Sequence, residues 1–157
     1  IRHYLSMRDQ GVVIRNYQVV HLSSASIRSS HIQLACATGR DLVEVKALLA
    51  SWRVFGIVRR FADSCRLLSA HYCPLFPDLR LRAIRENVST DAEVSDREAL
   101  ERSRIELGPD TFDRLMAANC LDLELYDYAQ RLFADAFARV PGLSMAPSLH
   151  VDHLSAN

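Results

Sequence analysis

The sequence is short of glycine, of lysine and of unbroken apolar runs. Its five glycines in 157 residues are less than half the usual ~7%, and they are scattered. Neither a G-x-x-x-x-G-K-[ST] loop nor a G-x-G-x-x-G turn occurs, so the common phosphate-binding loops are missing. G-x-S-x-G and H-E-x-x-H are missing too, which removes the hydrolase nucleophile elbow and the zinc-protease helix. Lys46 is the only lysine among 19 basic residues. Any Schiff-base or phosphate-loop lysine would have to be Lys46. Apolar stretches such as 54–58 run only four or five residues, far short of the ~20 a membrane span needs. Cysteines at 36, 65, 73 and 120 form no C-x-x-C pair and match no zinc ribbon, so reduced, mostly buried thiols are expected. Nineteen basic residues balance nineteen acidic ones. Bulk charge therefore gives no help to a nucleic-acid or membrane-surface reading, and no nucleic-acid partner is expected.

What is present describes an ordinary globular chain, 49% apolar and 24% charged. The length suits about one domain. Scarce glycine with abundant Leu, Ala and Arg leans helical. Residues 1–10 read as the end of a helix stopped by Gly11, and Ser23–Ser30 as a serine-rich loop. Asp41 and Glu44 have the spacing of a helix cap. Leu42, Val45, Leu48, Leu49 and Trp52 follow on one helical face. Val54–Val58 is apolar on both sides and reads as a central strand, with Arg59 and Arg60 at its C-terminal end. Phe61–Tyr72 reads as a helix burying Phe61, Cys65, Leu68 and Tyr72, stopped at Cys73-Pro74. Leu79–Val88 alternates like an edge strand or crossover, and Ser89–Asp96 is a polar linker. Ser95 and Glu98 have capping-box spacing ahead of a charged helix to about Leu107. A short helix carries Phe112, Leu115 and Met116. The most regular helix spans Asn119–Val140, again with cap spacing at Asn119 and Asp122, and Pro141-Gly142 ends it. Residues 1–140 are expected to form one unit and 141–157 a polar tail in which His150 and His153 form no metal site.

Several of these pieces recur in a known order. A helix leads into Val54-Phe55-Gly56-Ile57-Val58, then Arg60-Phe61-Ala62-Asp63-Ser64 and Leu67-Leu68. Far downstream stands Asn119-Cys120-Leu121-Asp122-Leu123-Glu124-Leu125-Tyr126-Asp127-Tyr128-Ala129, closing with Phe133, and upstream stands Asn16-Tyr17-Gln18. The order resembles the C-terminal part of sulfotransferases that use 3'-phosphoadenylyl sulfate (PAPS), in the branch of bacterial, uronyl and heparan-sulfate 2-O-sulfotransferases. The likeness covers roughly residues 12–140. It departs where the family commonly has Thr-Glu and this chain has Val58-Arg59, and where Val20 stands for an arginine.

The resemblance implies an α/β parent fold of the P-loop-like sulfotransferase type, with a parallel sheet flanked by helices. This piece would be its mainly α-helical part with one or two short strands. It implies PAPS as cofactor and a hydroxyl of a carbohydrate or small molecule as acceptor. It places the phosphosulfate loop, the 3'-phosphate site and the catalytic base ahead of Ile1, so the chain is expected to be a piece of a longer enzyme, inactive alone. No catalytic residue is then expected in 1–157, and Arg59 and Arg60 are the candidate cofactor contacts, at a strand end where α/β sheets bind ligands. His21, His31 and His71 are expected to be ordinary polar histidines. The cytoplasm is the expected compartment. The other reading of the residues is a non-enzymatic helical interaction module. In either case an unpaired strand at 54–58 is expected to favour a homo-oligomer or aggregation.

Overall fold

The computed structural model describes residues 15–25, 36–83 and 95–143. It contains the helices α1 (Tyr17–Leu22), α2 (Gly39–Ser51), α3 (Phe61–Tyr72), α4 (Asp96–Leu107), α5 (Pro109–Ala118) and α6 (Cys120–Ala138), with a 3-10 turn at Val58–Arg60. The chain is mainly helical, and no strand occurs among the described residues.

Helix α6 is the spine because its apolar residues serve two cores. Leu125 joins Val19, Leu42, Val45 and Leu49, with Leu121, Ala129 and Leu132 packed around them. About two and three turns later Phe133 and Phe137 join Ile57 and Leu67. Both phenylalanines are wholly buried. Asp127, Arg131 and Asp135 face water, as the 3.6-residue period requires. Lys46 of α2 pairs with Glu124 and lies over Tyr128. Leu49 and Trp52 share a cavity wall with Leu132 and Ala136. Helices α2 and α6 therefore run side by side in the same direction.

The start of α2 lies one turn earlier than its sequence suggests. Thr38, not Asp41, is the cap: its hydroxyl accepts from the Asp41 N–H, and the Asp41 carboxylate accepts from the Thr38 N–H at 2.8 Å. Asp41 is thus the returning acid of a capping box and is fully buried. Glu44 is freed to accept from the Ser24 amide and hydroxyl, tying α2 to the turn after α1. At α4 the sequence and structure agree: Ser95 and Glu98 exchange side-chain and backbone bonds. Gly108, at φ 76°, then turns the chain into α5, with Pro109 in its first turn. Arg104 closes this hairpin, 3.8 Å from Asp113 and over the Phe112 ring.

The expected central strand is not formed. Residues 54–56 have no regular structure and Ile57 is extended, but no described segment lies alongside to complete a ladder, and Val58 turns outward at 87% exposure. Apolar character on both sides is satisfied differently: Ile57 is buried in the second core, with Val54 and Phe55 packed at its margin. The buried face of α3 is also rotated from expectation. Phe61 is half exposed, whereas Asp63, Ser64 and Leu67 are buried. Of the expected edge strand, residues 79–83 are irregular and the rest lies outside the described residues, as do His31, His150 and His153. The cysteines are reduced, but Cys36 and Cys120 are exposed and Cys65 and Cys73 only half-buried, so the expectation of mostly buried thiols is not met.

Two stability effects follow. Phe133→Ala should cost ~3–5 kcal/mol in urea unfolding, because the ring is enclosed by Phe55, Phe137 and Leu67. A folded variant losing under about 1 kcal/mol would remove α6 from the core. The Ser95 hydroxyl, and then its amide, hold the Glu98 carboxyl below its ordinary pKa. A lowered folded-state pKa stabilises above the unfolded value and is lost as pH falls through the folded one. Protection of the amides at the start of α4, measured against their intrinsic exchange rates, should therefore fall as pH drops through the acid end of the carboxylate range. Glu98→Gln should abolish that dependence.

Candidate functional site

The segment from Gly56 to Arg66 is closed by a side chain rather than by a sheet. Ser64 Oγ donates to the Ile57 carbonyl at 3.0 Å and accepts from the Ile57 N–H at 2.8 Å. Both groups are buried, so the hydroxyl replaces two bonds that a neighbouring strand would make. Gly56 allows this approach. A Cβ there would lie 3.0 Å from Ser64 Cβ and 3.3 Å from its Oγ.

Arg60 and Asp63 stand at the mouth of this loop. The Arg60 guanidinium donates to Asp63 Oδ2 at 2.7 Å, and Arg66 reaches Asp63 Oδ1 at 3.2 Å. Arg60 also lies 5.3 Å from the Phe133 ring centre, and Arg66 lies 5.4 Å from that of Phe137. One buried carboxylate thus holds two guanidiniums, each on an aromatic face of α6. Arg59 is exposed. It and Arg60 are close enough to Tyr126 to influence its hydroxyl. Partial burial raises the Tyr126 pKa and the two arginines pull it back, with a net upward shift. The phenol therefore stays protonated at neutral pH, a hydrogen-bond donor rather than a base.

The second constellation joins residues 103 to 106 positions apart. Asn16 Oδ1 accepts from the amides of Leu121 at 2.9 Å and Asp122 at 3.2 Å, filling the start of α6. In return Asp122 accepts from the amides of Gln18 at 3.0 Å and Val19 at 2.9 Å, filling the start of α1. Asn119 accepts from the Asn16 amide and donates to the Leu115 carbonyl. Asn16 adopts φ 49°, a left-handed conformation that asparagine tolerates better than most residues. The Asn119/Asp122 spacing does mark a cap, but the cap acts on another helix. Nothing local in the sequence distinguishes the two cases.

These contacts decide how well PAPS fits. A phosphosulfate cradle needs a helix N-terminus with free amides. At α2 and α4 that place is taken by Asp41 and Glu98. At α1 and α6 it is taken by Asp122 and Asn16. The first turn of α3 carries Asp63, and that of α5 begins with Pro109-Asp110. The described residues therefore do not fit the donor's phosphosulfate. Arg60 has its guanidinium committed to Asp63, which leaves Arg59 as the more accessible of the two sequence candidates. His21 is exposed and stacked near Tyr17, and His71 packs edge-on against Tyr72. No group of three or more potential metal ligands occurs among the described residues.

The sequence reading overlooked a groove at the N-terminal end of the 54–57 segment. Arg53 and Arg139 border two adjoining cavities of about 90 and 230 Å³, floored by Val54, Leu67 and Ala136, with His71 at the wider one. Their only sequence signal is position: each arginine follows a helix end.

Comparison with known proteins finds no matching family model, no similar curated protein and no similar solved structure.

The reciprocal caps make a measurable claim. Asp122→Ala should destabilise the fold by about 1–2 kcal/mol, the usual scale for a lost cap, read from the urea midpoint. Asn16→Ala should cost at least as much, since alanine also resists the left-handed backbone. The double variant should lose less than the sum of the two, because the caps act on one junction.

Proposed function

We propose that this chain is the C-terminal, helical part of a PAPS-dependent sulfotransferase acting on a hydroxyl of a carbohydrate or small molecule. The observation that supports this most is the engagement of the residues that carry the resemblance. Asn16 and Gln18 meet Asn119 and Asp122 across more than a hundred residues. Gly56, Arg60, Asp63 and Ser64 form one closed loop against Phe133.

On this reading the shared residues are scaffold, and the donor chemistry lies elsewhere in the enzyme. Sulfuryl transfer needs fixed donors around the sulfonate and leaving phosphate, and a base for the acceptor hydroxyl. The described residues supply neither, so no step of the reaction is assigned to them. Arg59, exposed and near the protonated Tyr126, is the residue this reading assigns to a nucleotide contact. The parent fold would be α/β, with the apolar 54–57 segment entering its sheet.

Purified 1–157 should transfer no radiolabelled sulfuryl group from PAPS to any hydroxyl acceptor. Turnover would overturn the placement of the catalytic half. The coding sequence ahead of Ile1 supplies the second test. A strand followed by a glycine-containing phosphate loop is expected there. A start codon close to Ile1 with no such loop would favour the helical interaction module instead.

A further inference from the structure

The C-terminal ends of three helices meet at one groove, and no acid answers the positive charge there. Arg53 follows α2, Arg139 follows α6, and His71 lies in the last turn of α3. All three border the wider cavity, of about 230 Å³, and the two arginines also border its neighbour of about 90 Å³. Neither lining contains an acidic residue. Both arginines are exposed. Neither guanidinium makes a hydrogen bond or an ion pair among the described residues, even with Asp135 one turn before Arg139. An arginine at a helix end ordinarily serves the last carbonyls, but here turn amides already take them. The Trp52 N–H donates to Leu49, the Val140 N–H to Phe137, and the Leu75 and Phe76 amides to Tyr72. A helix end offsets only about half a charge, so two full guanidiniums leave the groove positive.

Between the arginines the walls are apolar. Val54, Leu67 and Ala136 line both cavities, and Trp52 lines the narrower one. A cavity of about 150 Å³ already admits a benzene ring, whereas drug-sized ligands occupy ~300 Å³ or more. The wider cavity therefore suits a body of about one ring. A guanidinium fork suits a planar carboxylate, which it meets through two parallel bonds. We propose that this groove binds a small aromatic carboxylate, its charged head between Arg53 and Arg139 and its ring over Val54, Leu67 and Ala136. A simple anion would leave the apolar floor uncovered, and a neutral arene would leave both guanidiniums unanswered. The groove lies at the opposite end of 54–57 from Arg59 and Arg60, and the inference does not rest on sulfuryl transfer.

Trp52 is the only tryptophan, so its fluorescence in the full 1–157 chain reports on the groove directly. The probe is para-tert-butylbenzoate, with para-tert-butylbenzamide as its neutral isostere and acetate as the head alone. The benzoate should change the emission saturably with a Kd of about 1 mM, the scale for a ligand of this size. The benzamide and acetate should each bind about tenfold more weakly or worse. Arg53→Gln and Arg139→Gln should each weaken the benzoate by about tenfold or more, as expected for one lost charge-assisted contact, with the urea midpoint unchanged. Arg131→Gln, on the exposed side of α6, should leave its affinity as it was. The proposal is overturned by the lack of any saturable change, by equal binding of the benzamide or acetate, or by indifference to either groove variant. Equal weakening by Arg131→Gln would overturn it too. Tighter binding of para-tert-butylphenyl phosphate would also overturn it, making the groove a phosphate-ester site instead.

Discussion

Two helices in this protein begin where neither can cap itself. The amides at the start of α1 and α6 are satisfied only by crossing over, Asp122 serving one and Asn16 the other. This constraint fixes the rest in order. It sets where α6 begins relative to α1, and hence where Leu125 meets Val19. Two turns on, Phe133 is delivered to Phe55 and to the Arg60 guanidinium. The exchange resembles a capping box divided between two helices, with the sequence separation of a tertiary contact and the geometry of a local one. Its stabilisation depends on both helices being formed, so it couples their folding.

Arginine holds the second half together. Arg60 and Arg66 share Asp63 and each covers a phenylalanine of α6. A planar guanidinium can accept a carboxylate at its edge and an aromatic ring on its face, whereas an ammonium cannot do both as well. The near absence of lysine is therefore not neutral at these positions, whatever its origin. The same contacts limit what Arg60 can do for a ligand, since drawing it away would leave the largely buried Asp63 with a single exposed partner. A reading based on arginines at a strand end does not see that carboxylate as a competitor.

Elements set by local chemistry were legible in the sequence. Helix α3 has the expected limits, Ser95 and Glu98 form the expected box, and α6 keeps its long apolar period. Elements set by distant partners were not. Thr38 and Asp41 also form a capping-box pair, and the choice between that frame and Asp41–Glu44 is made by Ser24, which claims Glu44. The buried side of α3 is chosen by Ser64 locking onto Ile57, which turns Leu67 inward and Phe61 outward. The candidate arginines were found, but their differing availability depends on Asp63 and Phe133, and the groove at Arg53 and Arg139 joins residues from two helix ends that no short motif links.

The extended segment shows most clearly what a residue pattern can and cannot specify. Val54, Phe55 and Ile57 specify burial, and burial is largely achieved through Phe133, Phe137 and Leu67. A strand requires something further, a partner that supplies donors and acceptors along one edge. Within the described residues only Ser64 offers such groups, and it serves a single residue, Ile57. The hydroxyl ends the backbone's need at the point where the chain turns into α3, and leaves it open at the three residues before. The apolar pattern therefore fixes what the side chains do, while no described residue supplies the bonds that a strand at 54–56 would need.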